Sequence, residues 1–160
     1  MTIYYLEMRD PAQLRPPSQA VEGFQVQRAS VPCGLLNRFF YREVGANWKW
    51  TDRLPWTEGE WQTYAEGAEL ETWVGYLWGT PAGYFELARR DGGQVEVAMF
   101  GVLPPFIGRG VGGAMLAAAI RRAWEDGAQR VWLHTETSDH PHALGNYKAR
   151  GMQVYREEAQ

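Results

Sequence analysis

Between Gly108 and Gly113 the chain carries four glycines in six residues, Gly-Arg-Gly-Val-Gly-Gly. At the start of a helix such a run suits one chemical task. The first N–H groups of a helix lack intrahelical partners, and the helix dipole adds partial positive charge there. Without side chains at Gly108, Gly110 and Gly112, a phosphate or pyrophosphate can come close to those N–H groups. Arg109 would add a charge-assisted contact. As a mere tight turn the run would weaken the helix start with no return. A P-loop is excluded, because Gly-Gly-Ala stands where Gly-Lys-Ser/Thr is required. The dinucleotide fingerprint is closer: Gly108-x-Gly110-x-x-Gly113 matches it, and Glu136 would sit where a ribose-binding acid belongs. Against it, Pro104 and Pro105 separate the loop from its strand, and the chain after the loop is too short for a doubly wound nucleotide domain.

Two other clusters carry chemistry-bearing residues. His134, His140 and His142 fall close to Glu136 and Asp139. A zinc site needs three or four convergent ligands; here His134 belongs to a strand and the others to a loop or helix start, so no metal is expected. Asp139 reads as the cap of the helix that follows. Four of the eight tryptophans, Trp48, Trp50, Trp56 and Trp61, crowd one short stretch. They read as core packing or as the wall of a pocket.

These residues need elements to position them. IYYLEM (3–8) reads as a first strand, PAQLRPP (11–17) as an extended connection, and FQVQRA (24–29) as a second strand. From Pro32 a helix runs to Gly45, with Leu35, Leu36, Phe39 and Phe40 at helix-face spacing. Thr57-x-x-Glu60 is a capping box opening a second helix. Then ETWVGYLW (71–78), GYFELAR (83–89) and QVEVAMFGVL (94–103) form an antiparallel meander, with Asp91-Gly92-Gly93 at its second turn. A long helix runs from Gly110 to Asp126, stopped by Gly127. The strand RVWLHT (130–135), a short helix over 140–150 and a strand over 152–157 complete the order. Strand, glycine loop, helix and strand make a parallel βαβ unit appended to the meander, in a single mixed, mostly antiparallel sheet of α/β (α+β) type.

The 160 residues fit one domain, 1–160, with residues 1–22 as an N-terminal strand and proline-rich connection. A hydrophobic fraction of 45% and a charged fraction of 22% are ordinary for a globular protein. The net charge of −3 gives no footprint for nucleic acid or an anionic membrane. Cys33 is the one cysteine, which excludes an intrachain disulfide and points to a reducing compartment. MTIYYLEMRD lacks a basic n-region and an apolar h-region, so no signal peptide is expected. No run approaches the ~20 apolar residues of a membrane span. A cytoplasmic protein is the expectation, with a homodimer left open.

Val102-x-Pro104 followed by Ile107-Gly-Arg-Gly-Val-Gly-Gly resembles the acetyl-CoA loop of the GNAT superfamily of N-acetyltransferases, Gln/Arg-x-x-Gly-x-Gly/Ala behind a V-x-P strand end. Ala143 to Met152, with Tyr147 four residues before Gly151, resembles that superfamily's A-x-x-x-Y-x-x-x-G-F/M ending. The resemblance covers Glu71 to Met152; the earlier residues match in order of elements alone. Ile107 departs from the usual Gln or Arg, and His140 stands where many members have Asn.

The resemblance implies a GNAT-like fold, acetyl-CoA as cofactor, and acetyl transfer to a primary amine of a small molecule, peptide or protein by direct attack in a ternary complex. It implies cofactor contacts from Phe100, Gly101, Val102, Ile107, Gly108, Arg109, Gly110, Val111, Gly112, Gly113 and His140. A main-chain N–H near Phe100 to Val102 would polarise the thioester carbonyl. Glu96, on the same strand face as Val102 under strict alternation, matches a general-base position, and Tyr147 matches the tyrosine that protonates the leaving thiolate. The first two helices would cover the acceptor end, making Trp48, Trp50, Asp52 and Arg53 candidate acceptor contacts. His134 either borders that site or is a hydrogen-bonded core histidine. The alternative is a CoA-binding regulatory module without catalysis; retention of Glu96 and Tyr147 favours the enzyme.

Overall fold

A computed structural model describes all residues, Met1–Gln160. Seven strands form one sheet in the order β2-β3-β4-β5-β6-β1-β7. They are β1 (Thr2–Met8), β2 (Phe24–Arg28), β3 (Leu70–Leu77), β4 (Thr80–Arg90), β5 (Gln94–Val102), β6 (Arg130–Glu136) and β7 (Gln153–Ala159). Every neighbouring pair is antiparallel except β5 and β6. That parallel pair is joined by α3 (Val111–Trp124), the expected βαβ unit; the other helices are α1 (Gly34–Gly45), α2 (Glu58–Ala65) and α4 (Ala143–Ala149). No helix is long and apolar enough to cross a membrane.

The main core lies between α3 and one face of the sheet. Met115, Leu116 and Ile120 of α3 pack there with Leu6, Leu87, Val97 and Leu133, all nearly or fully removed from solvent. Each such side chain contributes about 1.5–3 kcal/mol by leaving water. α1 covers the opposite face of the meander, where Phe40 stacks on Tyr84 at 4.9 Å and Val44 packs beside Val74.

The inward stripe of α1 differs from the expected one. Asn37, Phe40, Tyr41 and Val44 are buried, while Leu35 and Phe39 are 49% and 48% exposed. The polar Asn37 lies at the stripe's centre because its amide is used: Nδ2 donates to Thr72 Oγ1 at 2.9 Å and to Glu86 Oε2 at 2.7 Å. Of the four expected inward residues, Leu36 and Phe40 pack against the sheet and Leu35 and Phe39 do not.

Two helix ends also repay inspection. Thr57 caps α2 as expected, accepting from the Glu60 N–H at 3.1 Å while Glu60 Oε1 accepts from the Thr57 N–H at 3.2 Å. α3 ends at Trp124, before the left-handed Gly127, because Arg89 of β4 donates to the carbonyls of Arg122, Ala123 and Glu125. Glu71 holds Arg89 and Arg122 in place. Burial alone would raise the Glu71 carboxyl, but N–H donors from Arg122, Arg89 and Trp73 bring it down to about 2.

Candidate functional site

The sheet opens where the site forms. β5 pairs with β4 along its whole length but with β6 only from Gln94 to Glu96. Beyond Glu96 the parallel strands part, leaving one edge of β5 without a partner strand. Two cavities meet at this gap. One, of about 580 Å³, lies against the glycine loop and α4, lined by Gly101, Val102, Ile107, Gly108, Gly112 and Gly113 among others. The second, of about 860 Å³, lies over the sheet beside the α1–α2 connection and includes Asp52, Arg53, Glu96, Met99 and His134. Trp50, Phe100, Asp139 and Tyr147 line both.

The loop cavity is built largely from backbone. After β5 a single turn at Pro104–Phe106 leads to Gly108 and Gly110, both left-handed with φ of 86° and 81°, and α3 begins at Val111. The N–H groups of Gly108 through Gly113 donate to no acceptor in the chain; the first bond of the helix runs from the Ala114 N–H to the Gly110 carbonyl at 3.2 Å. Arg109, Gly110 and Val111 differ from their neighbours. The Val111 side chain is fully buried with Leu77 and Ala82, Gly110 backs onto Val21, and the Arg109 guanidinium lies over the Phe106 ring at 5.8 Å. None of these three lines the cavity.

At the junction Tyr147 projects from α4 and is 7% exposed, with the Phe100 ring edge-on at 6.1 Å. Burial, and secondarily the Asp139 carboxylate, pushes its hydroxyl above the ordinary phenol range, so the proton stays on oxygen at neutral pH. Asp139 is no helix cap: α4 starts at Ala143 with His142 at the cap position. Its carboxylate instead accepts from the Thr135 hydroxyl at 2.6 Å, the Glu136 N–H at 2.9 Å and Trp50 Nε1 at 3.1 Å. That last bond ties the α1–α2 connection to the loop after β6. Trp50 also needs a bare Gly45, where a Cβ would stand 2.3 Å from Trp50 Cβ, and the neighbouring Val44 needs a bare Gly101, where one would stand 2.2 Å from Val44 Cγ1.

The tryptophan cluster divides in two. Trp61 is 1% exposed, with Trp56 against it at 4.8 Å. Trp48 and Trp50 line the loop cavity, where Trp48 meets the His140 ring edge-on at 4.9 Å. Trp48 is thus placed beside the loop and not in the sheet cavity assigned to acceptor contacts. His140 is lowered from the ordinary imidazole range by burial and by His142 beside it. His134 lies in the other cavity, its ring 5.8 Å from Tyr5. No three His, Cys, Asp or Glu side chains gather as metal ligands would.

Glu96 lines the sheet cavity, but the alternation expected to align it with Val102 is broken. Glu86 pairs with Met99 and Leu87 with Val97, so Ala98 is an extra residue in β5. Val95, Val97, Phe100 and Val102 accordingly face the α3 core, whereas Glu96, which pairs with Ala88, shares the α1 face with Met99. Its Oε2 stands 3.9 Å from His134 Nδ1 on β6, which is 45% exposed and not a core histidine.

Arg53 is held from below by Glu86, which is fully buried on β4 and which the sequence reading did not single out. Glu86 Oε1 accepts from the Tyr64 hydroxyl at 2.5 Å and from Arg53 Nη1 at 3.4 Å. The guanidinium lies over the rings of Tyr64 at 4.4 Å and Trp56 at 5.0 Å. The signal for Glu86 was an acid between Phe85 and Leu87 in an otherwise apolar strand. Asp52, by contrast, is exposed and lines the same cavity.

The fold recurs among known proteins. The Acetyltransferase (GNAT) family matches residues 35–152, and the chain belongs to that family. A curated mycothiol acetyltransferase from Corynebacterium aurimucosum is 26% identical over 98% of this chain and 58% of its own length. A GCN5-related N-acetyltransferase from Sphaerobacter thermophilus superposes with a TM-score of 0.71 at 22% identity, covering 98% of this chain and 49% of that one. One from Kribbella flavida gives 0.69 at 20% identity, over 98% and 56%. The chain therefore spans about half to three-fifths of these relatives.

Proposed function

We propose that this chain transfers an acetyl group from acetyl-CoA to a primary amine. The observation that carries this reading is the meeting of two cavities at Trp50, Phe100, Asp139 and Tyr147, one of them lined by Gly108, Gly112 and Gly113 of a loop whose six N–H groups have no acceptor. Those donors, at the positive end of α3, suit a pyrophosphate, and the unpartnered edge of β5 suits an amide-bearing arm running between β5 and β6. The residues thus fit acetyl-CoA, which supplies an activated thioester when bound. Gly108 to Gly113 would hold its phosphates, and the main chain of Phe100 to Val102 its pantetheine.

The chain's own groups cover the proton movements. Glu96 lies in the sheet cavity and would take the amine proton at its carboxylate, directly or through a water. Tyr147, kept protonated by its burial, would donate from its hydroxyl to the departing sulfur. Asp139 contacts neither proton; it fixes Trp50 and β6 around them. The sheet cavity carries Asp52, Glu69, Glu96, Glu136 and Asp139 against Lys49, Arg53 and Arg90, and Arg53 is already paired with Glu86. That balance, with aromatic walls, favours a cationic amine acceptor.

Thiol release from acetyl-CoA with a library of amines tests the reading. Sustained release with a cationic amine is the expected result. Stabilisation of the protein by CoA with no release for any amine would overturn it.

A further inference from the structure

His134 of β6 has no task in the scheme above. It stands two residues beyond Trp132, which pairs with Glu96, and so shares a face with Glu96 just where β5 and β6 part. Across that gap its Nδ1 is 3.9 Å from Glu96 Oε2, the one polar contact that either side chain makes within the chain. The Tyr5 ring, opposite His134 on β1, closes the far side at 5.8 Å. Its hydroxyl donates to Glu158 and not to the imidazole. An imidazole without hydrogen bonds holds no part of the fold together.

The two groups differ in their access to water. The Glu96 side chain is 14% exposed and the His134 side chain 45%. A carboxylate that has taken a proton must lose it before the next turnover. With acceptor and cofactor filling the two cavities, little water reaches Glu96, whereas the imidazole keeps one side in solvent. Imidazole suits the transfer, because one ring nitrogen accepts while the other donates. Glu96 from β5, Glu136 from its own strand and Asp139 from the loop beyond line the cavity with it, together with Met1. Arg156 of β7 is drawn over the Tyr5 ring at 4.8 Å. A transient imidazolium would therefore face carboxylates.

We propose that His134 relays to solvent the proton that Glu96 takes from the acceptor amine. The amine N–H bond breaks as its proton passes to a Glu96 oxygen. The carboxyl O–H bond then breaks as that proton passes to His134 Nδ1. The imidazolium so formed gives up a proton to water, which restores both groups. At 3.9 Å the two atoms stand beyond hydrogen-bond reach, and a small turn of either unbonded side chain closes the distance. The relay rests on the acetyl-transfer reading with Glu96 as the base. His134 touches neither the amine nor the thioester; it acts through Glu96.

Steady-state kinetics in dilute buffer on His134→Gln, Glu96→Gln and the double variant test it, with an amine that wild type acetylates. His134→Gln should lower kcat about tenfold and leave the amine KM within about twofold. Imidazole added to the assay should restore that kcat as its concentration rises. The double variant should be no slower than Glu96→Gln alone, since a relay without its donor has nothing to carry. His134→Gln should melt within about 2 °C of wild type, because the side chain is half exposed and unbonded. Unchanged kcat in His134→Gln overturns the relay. So does a raised amine KM as the sole change, which makes His134 an acceptor contact. A loss that imidazole does not restore, or one that adds to that of Glu96→Gln, overturns it as well. Full activity in Glu96→Gln removes the base and the relay with it. If wild type releases no thiol with any amine, the acetyl-transfer reading fails, a result distinct from all of these.

Discussion

The two cavities that meet at Tyr147 are made of different material. The loop cavity is lined in good part by main chain, at Gly101, Gly108, Gly112 and Gly113, in a loop whose N–H groups lack acceptors. The sheet cavity draws single side chains from places far apart in sequence: Asp52 from a connection, Glu96 from β5, His134 from β6 and Asp139 from the loop beyond. A backbone cradle tolerates changed side chains, such as Ile107, so long as the glycines remain. A side-chain cavity changes character with every substitution. A common donor and a varied acceptor would call for this division of labour.

The sharpest way to break the comparison is to put a side chain into the cradle. Gly108→Glu should weaken CoA binding by about a hundredfold or more, since Gly108 lines the cavity and a carboxylate there would face the phosphates unpaired. Gly108 has a φ of 86°, so Gly108→Ala carries the backbone strain without the charge. Calorimetry on both separates the two costs, and equal losses would show that shape alone matters.

At the junction, Tyr147→Phe should lower kcat about a hundredfold while leaving CoA affinity within a factor of two. Affinity falling in parallel would move Tyr147 into the binding apparatus. Inside the sheet cavity, Glu96→Gln should lower kcat/KM for the amine about tenfold to a hundredfold at neutral pH. The deficit should shrink as pH rises and more of the amine is already neutral; a pH-independent deficit would make Glu96 an acceptor contact and not a base. The smallest effect belongs to Asp52→Asn. It should raise the acceptor KM a few-fold with kcat unchanged, because the carboxylate is exposed and screened. Unaltered kinetics would remove Asp52 from the site.

The same contrast explains what could be read from the sequence. The βαβ unit, the meander and the glycine loop were legible because each is written in neighbouring residues: alternation, Asp91-Gly92-Gly93, and the run from Gly108. Tyr147 was legible through its spacing to Gly151. The reading failed where a contact joins distant residues. Asp139 looked like a cap because the helix after it is near in sequence, yet its partner Trp50 is 89 positions away. Asn37 hid the buried stripe of α1 because its partners, Thr72 and Glu86, lie on strands the helix meets only after folding.

The extra residue in β5 has a consequence for how this site could change over time. A strand is a two-way alternation, and Ala98 acts as a parity bit within it: upstream and downstream stretches present opposite odd–even assignments to the same face. Loss of that one codon would leave Val97 followed by Met99 in plain alternation, with Leu87 and Glu86 still opposite them. Phe100 and Val102 would keep the α3 face and Gly101 its place beside Val44. The bulge is thus a site where this strand can lose a residue without exchanging its faces, whereas loss of any regularly paired residue beside it would exchange them.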